Sequence, residues 1–283
     1  MRSNHDGKLP CFLNDTRTKY YFASDFHFGI PDDDSSLERE RRLTRWLDEV
    51  NGDAKAIYIL GDVFDFWFEY GKVVPKGYVR ILAKLAEIVE SGTPIHLFKG
   101  NHDLWTKGYL SKEIGLTEHR KPETMTLNGK RIHLAHGDGL GPDDYFYKFL
   151  LHLFEGKLYQ FLFRLLHPDI GIRLGLLFSK KHRYIKRREK GKDDNFDITK
   201  ELLYKYVVNY CKHETDIDYF VFGHRHMPVD KAIEGTKSRI FLLGDWMDYN
   251  TYGVLDENGN FEIKYYNTDY EQGRRIDSDR HAE

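Results

Sequence analysis

The stretch Ile57-Tyr58-Ile59-Leu60-Gly61-Asp62 joins four apolar residues to a glycine and a carboxylate. A short unbroken apolar run, rich in β-branched and aromatic residues, is typical of a strand buried on both faces. Five other runs have the same character and also lead into polar residues, namely 20–24, 95–98, 132–135, 219–222 and 240–243. The sequence therefore predicts six buried strands with polar side chains at their carboxyl ends.

Apolar residues at helical spacing separate several of these runs. One stripe follows the cap candidates Ser35 and Ser36, a second ends at Gly92, and a third precedes the run 219–222. Their members are Leu43, Trp46, Leu47 and Val50; Leu82, Leu85, Ala86 and Val89; and Leu202, Leu203, Tyr206, Val207 and Tyr210. Strands that alternate with helices predict a layered α/β fold.

The length of 283 residues is close to the upper size for a single hydrophobic core, which predicts one domain with an elaboration. We expect the domain to span 19–270, with a loose extension at 1–18 and a frayed tail at 271–283. The segment from about 142 to 194 interrupts the strand-helix alternation, and we interpret it as a helical insertion. Within it, residues 145–192 contain 12 Lys or Arg against 3 Asp or Glu, although the whole chain has a net charge of −2. This basic block predicts contact with an anionic surface or substrate.

Cysteine content and hydropathy bear on the compartment. Cys11 and Cys211 are too few for a disulfide framework, which favours a reducing compartment. Residues 1–19 lack the apolar core of a signal peptide, and no stretch has the ~18 apolar residues of a membrane-spanning helix. We therefore expect a cytoplasmic protein that can still contact a membrane at its surface.

Polar clusters follow five of the predicted strands. Because the carboxyl ends of strands in an open α/β sheet converge on the ligand site, these clusters should meet. They combine carboxylates, imidazoles and one amide, a set that suits Mn, Fe or Zn better than Ca or Mg. The clusters are Asp25-Phe26-His27, Gly61-Asp62-Val63-Phe64-Asp65, Gly100-Asn101-His102-Asp103, His136-Gly137-Asp138 and Gly223-His224-Arg225-His226.

The spacing within the clusters has a physical reason. Residues i and i+2 of an extended segment point to the same side, so Asp25/His27 and His224/His226 can each present two ligands in one direction. Asp62 could bridge two cations with its two oxygens, and two neighbouring metals can activate water and neutralise both oxygens of a displacement. Alone, D-x-H arises by chance, and G-D-x-x-D or G-N-H-D can be ordinary turns. All five together, in order, predict a two-metal centre.

This order of motifs resembles the calcineurin-like metallophosphoesterase family, over residues 20 to about 266. The resemblance implies a four-layer α+β fold in which a β-sandwich is flanked by helices. It implies a hydrolase with two divalent metals, Mn first, with Fe or Zn as alternatives. One metal would take Asp25, His27, Asp62 and His226, and the other Asp62, Asn101, His136 and His224. His102 would stabilise or protonate the leaving oxygen, and Asp65 would orient His102 by a hydrogen bond.

Within that family, the chain is most similar to the UDP-2,3-diacylglucosamine pyrophosphatases of lipid A synthesis. The shared strings include Asp143-Asp144-Tyr145-Phe146-Tyr147, Gly223-His224-Arg225-His226-Met227-Pro228 and Leu243-Gly244-Asp245-Trp246. The resemblance implies an acylated UDP-sugar substrate, a helical lid and peripheral contact with the inner membrane. By position, Asp144, Tyr147, Arg173, Ser179 and Lys180 would bind the substrate. Many members of that subfamily carry Arg at the position of His102, where this chain has the general family form.

The insertion itself combines apolar helices with a run of basic residues. Phe146, Phe149, Leu150, Leu153 and Phe154 repeat at helical spacing, and Lys180, Lys181 and Arg183 follow the apolar stretch 170–178. Such a segment suits an acylated, phosphorylated molecule at a membrane surface. The alternatives are that the segment extends the core, forms a dimer interface or binds nucleic acid. We expect no nucleic-acid partner, because the residues beside the basic run are aliphatic as well as aromatic and the rest of the chain is acidic. A phosphoesterase of another lipid or nucleotide, and an inactive scaffold with the same fold, are the competing functions.

Overall fold

The structure is a computed structural model that describes residues 17–142, 145–190 and 197–266. For residues 146, 147, 150, 155 and 180–190 it describes the backbone alone. The expected tail at 271–283 and all but two residues of the expected extension at 1–18 lie outside the described residues. The boundaries of the domain therefore stay a prediction.

Two sheets form the centre of the fold. The first has six strands in the order β11-β10-β1-β2-β3-β4, with β1 to β4 parallel, and the second has five in the order β5-β6-β7-β9-β8, with β6, β7 and β9 parallel. Numbered along the chain, the first sheet contains β1 Lys19–Ala23, β2 Ala54–Ile59, β3 Ile95–Phe98, β4 Thr117–His119, β10 Thr251–Leu255 and β11 Phe261–Tyr265. The second contains β5 Glu123–Leu127, β6 Lys130–Ala135, β7 Tyr219–Phe222, β8 Pro228–Ala232 and β9 Arg239–Leu243.

All six strands predicted from apolar runs are present, as β1, β2, β3, β6, β7 and β9. The sequence pattern missed β4, β5, β8, β10 and β11. Four of these lie at the edges of the two sheets and are partly exposed, so they lack an unbroken apolar run. The fifth, β10, is buried but contains Thr251 and Gly253. Burial on both faces was thus the signal that sequence periodicity could detect.

Helices cover both outer faces of the paired sheets. The helices are α1 Asp33–Asn51, α2 Val79–Glu90, α3 Tyr109–Lys112, α4 Tyr145–Glu155, α5 Lys157–Arg164, α6 Pro168–Lys190 and α7 Leu202–Tyr210. The cap of α1 is Asp32, whose carboxylate accepts a hydrogen bond from the Ser35 backbone N–H, so the prediction of Ser35 or Ser36 was wrong. A carboxylate at this position also interacts favourably with the positive end of the helix dipole.

Alternation along the strands divides the apolar side chains among three cores. On β1, Tyr21 and Ala23 pack with α1 and α2, whereas Phe22 points into the space between the sheets. A third core joins the outer face of the second sheet to α7 through Phe220, Phe222 and other residues. The layers are therefore helix, sheet, sheet and helix, which confirms the predicted four-layer α/β class.

The helices α4, α5 and α6 lie within the segment that we interpret as an insertion, and they pack on the loops that follow β2 and β3. Phe163 of α5 lies against the rings of Phe66, Phe68 and Trp105, with centroid separations of 4.8 to 5.9 Å. A side chain at Gly175 of α6 would overlap the ring of Phe66, so glycine permits the close approach of this helix. The insertion is thereby held against the same loops that carry the polar clusters.

Candidate metal centre and active site

The polar clusters meet at the carboxyl ends of the parallel strands. The loops that follow β1, β2, β3, β6 and β7 each contribute side chains to one buried centre. Among the described residues there are three groups whose possible ligand atoms lie within 4.8 Å of one another inside the group: Asp25, His27 and His226; Asp62, His136 and His224; and His27, Asp65 and His102. The topology therefore brings together residues that are as far as 201 positions apart in the chain.

Several of these residues have a left-handed backbone, which is uncommon outside glycine. The φ angles are 58° at Asp25, 45° at His27, 54° at Asp62, 68° at His224 and 51° at His226. A non-glycine residue in this region costs about 1–3 kcal/mol, and such strain persists where surrounding structure and function require it. The prediction that Asp25/His27 and His224/His226 lie on an extended backbone was therefore wrong, although their side chains do meet at one centre.

Asp62 lies in the middle of the centre. Its Oδ2 is 3.3 Å from His136 Nε2, 3.6 Å from His27 Nε2 and 4.0 Å from His102 Nε2. A side chain at Gly100 would overlap the Asp62 carboxylate, so glycine is required beside it. Asp62 thus contacts both halves of the ligand set, as a bridging carboxylate must.

Several buried polar atoms of the site lack a hydrogen-bond partner among the described residues, as expected of atoms that bind cations. Asp25 Oδ1, His27 Nε2 and Asn101 Oδ1 are buried and have no hydrogen-bond partner among the described residues. Each unsatisfied buried polar atom costs about 1–3 kcal/mol, so a cluster of them calls for a ligand. Carboxylate, imidazole and amide atoms of this kind bind divalent transition metals. The residues present therefore fit divalent metal ions.

The charges of the site favour cations as well. Burial opposes ionisation of Asp62, but His136 and His102 outweigh it and hold the pKa of Asp62 well below its usual range. Burial also lowers the pKa of His136, but Asp62 outweighs this effect and raises it well above its usual range. The charge that attracts protons to the imidazoles equally attracts metal ions, and the two compete.

Asp245 holds one of the histidines in place. Its Oδ2 lies 3.1 Å from His226 Nδ1, and its Oδ1 accepts hydrogen bonds from the backbone N–H groups of Met247, Asp248 and Tyr249. His226 Nε2 is consequently directed at Asp25 Oδ1, 3.5 Å away. A carboxylate behind a histidine ligand fixes its tautomer and raises its basicity. Sequence reasoning missed this role, although Leu243-Gly244-Asp245-Trp246 was among the shared strings.

We expect Asp245→Asn to lower the affinity for metal by about 10–100-fold, because the side-chain amide N–H of the new asparagine would face the Nδ1–H of His226. Chelator competition with purified protein measures this affinity. Asp230→Asn is the matched control, because Asp230 lies on the exposed strand β8 and forms an ion pair with Arg239. Equal affinities in the two variants would contradict the role given to Asp245.

His102 and Asp65 lie at the side of the centre that faces the insertion. The His102 Nδ1 is 2.8 Å from the backbone oxygen of Asp65 and 3.7 Å from its carboxylate, so the orienting hydrogen bond involves the main chain. The Asp65 carboxylate instead accepts a hydrogen bond from the Ser179 hydroxyl at 2.7 Å. Burial lowers the pKa of His102 to about 4, with Nδ1–H donated to the Asp65 carbonyl and Nε2 directed at the centre.

The predicted substrate residues have different positions. Ser179 is buried on α6, and its hydroxyl is 3.2 Å from His102 Nδ1. Arg173 is exposed on the same helix and forms no ion pair with any described residue. Tyr147 and Lys180 lie on α4 and α6, where the backbone alone is described, and Asp144 lies outside the described residues.

Two further residues support the loops of the centre. Asp103, the last residue of Gly100-Asn101-His102-Asp103, accepts hydrogen bonds from the N–H groups of Gly100 and Val63, each at 2.8 Å. Arg39 of α1 is buried and donates to the carbonyl oxygens of His27 and Ile30. The sequence motif drew attention to Asp103, whereas no local sequence pattern indicated that Arg39 would support the site.

Comparison with known proteins agrees with this site. Residues 18–228 match the calcineurin-like phosphoesterase family. The chain is 39% identical over 253 residues to a UDP-2,3-diacylglucosamine hydrolase of Porphyromonas gingivalis, covering 85% of this chain and 95% of that protein. It is 30% identical to a UDP-2,3-diacylglucosamine hydrolase of Hahella chejuensis, covering 84% and 93% of the two chains. A solved archaeal phosphodiesterase is similar at 12% identity and a TM-score of 0.43, covering 87% and 98%. On the family match, which spans most of its length, this chain belongs to the calcineurin-like phosphoesterases.

Proposed function

We propose that the chain is a two-metal hydrolase of UDP-2,3-diacylglucosamine. Water attacks the α-phosphorus, the pyrophosphate bond breaks, and UMP and 2,3-diacylglucosamine 1-phosphate leave. The observation that carries this proposal is the insertion, which places buried Ser179 beside Asp65 and His102 and leaves a broad apolar surface exposed next to them. The curated relatives of similar length, named for this activity, support it.

We assign the ligands of the two metals by position in the site. Asp25, His27, Asp62 and His226 hold one ion, and Asp62, Asn101, His136 and His224 hold the other, with Mn preferred over Fe or Zn. Divalent ions held by these residues would activate water near neutral pH and neutralise phosphate charge. The protein contributes the fixed ligand geometry, which Asp245 supports behind His226.

His102 acts at the leaving oxygen in this proposal. Its Nδ1–H is held by the Asp65 carbonyl oxygen, so Nε2 stays directed at the centre. A bound pyrophosphate brings negative charge that raises the pKa of a nearby imidazole. The protonated ring then stabilises the developing charge on the leaving phosphate. Asp65 and Ser179 fix the orientation of the ring.

The outer faces of α4, α5 and α6 are proposed to take the acyl chains. Large apolar side chains there are 36% to 75% exposed, among them Phe149, Leu158, Phe161, Leu177 and Phe178. A concentration of exposed apolar side chains in one segment marks a site for a membrane or an apolar ligand. Asp144, Tyr147, Arg173 and Lys180 would bind the sugar phosphate. Among the described helices, none is long and apolar enough to cross a membrane. We propose a cytoplasmic enzyme that binds the inner membrane peripherally.

The decisive experiment compares UDP-2,3-diacylglucosamine with its deacylated counterpart, in the presence of Mn²⁺. We expect a much higher kcat/KM for the acylated substrate, because the insertion binds the acyl chains. A screen of nucleotides, other phospholipids and phosphopeptides runs in parallel. A better substrate in that screen, with poor cleavage of the UDP sugar, would leave a metallophosphoesterase of another phosphoester as the function.

Phe178→Ser should reduce kcat/KM on the acylated substrate by about tenfold or more, since loss of one large buried apolar contact costs about 1.5–3 kcal/mol. Phe178 is 73% exposed and precedes Ser179, so its side chain is available to an acyl chain. Val79→Ser is the control, because Val79 is 70% exposed at the start of α2, outside the insertion. If the two variants behave alike, the outer face of α6 does not bind the lipid.

A further inference from the structure

A second concave surface opens beside His136 of the metal centre. It is a cleft of about 700 Å³, within the range of small-molecule sites. Its walls come from the loops after β3 and β6, the turn between β4 and β5, and the helices α4 and α5. His136 lies in its lining, so the cleft reaches the metal centre directly.

The lining of this cleft is strongly basic. Five cations, Lys99, Lys107, Arg120, Lys121 and Lys157, line it against one carboxylate, Asp138. The charge of Lys99 is compensated, since its Nζ is 3.2 Å from a Glu118 carboxylate oxygen. Arg120, Lys121 and Lys157 are exposed and form no ion pair with any described residue. Uncompensated cations around a concave space attract an anionic ligand, and their low-dielectric walls strengthen the attraction.

The two sides of the centre differ in chemistry. Beside Asp65 and His102 lies α6, whose exposed apolar residues, such as Phe178, suit acyl chains, while α4 and α5 also form walls of the cleft. On the side of His136 lies the basic cleft, whose rim is suited to phosphate and sugar hydroxyl groups. Asp62 contacts both sides, 4.0 Å from His102 Nε2 and 3.3 Å from His136 Nε2. A pyrophosphate at the centre has two ends, and the end without acyl chains has this cleft beside it.

Given the proposed function, on which this step rests, we propose that the cleft binds the nucleotide half of the substrate. Arg120, Lys121 and Lys157 hold the phosphate oxygens and the ribose of the nucleoside monophosphate that is released. These residues therefore determine specificity for a nucleotide at this end of the pyrophosphate. They act on binding of substrate and product, and none of them is an assigned metal ligand.

The test measures inhibition by UMP of the hydrolysis of bis(4-nitrophenyl) phosphate, a small diester without a nucleotide. We expect the Ki for UMP to rise about tenfold or more in the double variant Arg120→Ser/Lys121→Ser, which loses two charge-assisted contacts. The KM for UDP-2,3-diacylglucosamine should rise with it. The charge-conserving double variant Arg120→Lys/Lys121→Arg should retain most of the affinity for UMP.

Lys205→Ser/Lys231→Ser removes the same charge from exposed positions on α7 and β8 and should leave the Ki at its original value. Equal Ki values in the two serine variants, or a wild-type protein that UMP does not inhibit, would overturn the assignment. So would a rise confined to the Ki for glucosamine 1-phosphate, because the cleft would then hold the sugar half. If the Ki for UMP shifts while wild-type protein fails to cleave UDP-2,3-diacylglucosamine, the proposed substrate is wrong and the nucleotide site stands.

Discussion

Asp62→Ala is expected to lose bound metal and to reduce hydrolysis by at least about a thousandfold. The Asp62 carboxylate lies within 3.3 to 4.0 Å of ring nitrogens of His27, His102 and His136, so its charge serves both halves of the site. Elemental analysis of the purified variant, together with its rate on the UDP sugar, measures both effects.

A second variant separates this role from a folding defect. Removal of one partner from a buried charge cluster costs about 3–5 kcal/mol, so the alanine variant could unfold more easily. Asp62→Asn keeps the shape of the side chain and its hydrogen bond from the His102 backbone N–H, but removes the charge. We expect it to remain folded by thermal unfolding and still to lose metal. Normal metal content and normal rate in Asp62→Asn would refute the bridging assignment.

His102→Ala should retain both metals and lose about 10²–10³-fold in kcat, the usual cost of removing one group that stabilises charge in the transition state. His102 Nε2 is 4.0 Å from the Asp62 carboxylate, and its Nδ1 is engaged by the Asp65 carbonyl oxygen. His102 also lies within 4.8 Å of possible ligand atoms of His27 and Asp65, so the metal content of this variant is the critical measurement. A loss of metal would make His102 a ligand.

The variant His102→Arg distinguishes charge from proton transfer. The leaving group is a phosphate monoester, whose second pKa is about 6. Its departure therefore needs charge stabilisation more than a proton. We therefore expect His102→Arg to retain much more activity than His102→Ala. Equal losses in the two variants would show that the imidazole transfers a proton, which a guanidinium cannot do.

The sequence alone was sufficient for the layered class and for the meeting of the polar clusters at one centre. Strands such as β2 and β7 are buried on both faces, so their unbroken apolar runs are visible without a structure. The polar residues directly after those strands must meet, because parallel strands end at one edge of a sheet. Asp62 and His224 could therefore be placed in one site from their local motifs.

The tertiary structure decided the contacts that join distant or partly exposed segments. The edge strands β4, β5, β8 and β11 are stabilised by pairing with a neighbour, which leaves no local apolar run. The support of His226 by Asp245, the packing of α6 that brings Ser179 to His102, and the basic cleft beside His136 all depend on contacts between separate elements. Local periodicity records which face of a segment is buried, whereas a partner far along the chain is set by how the layers pack.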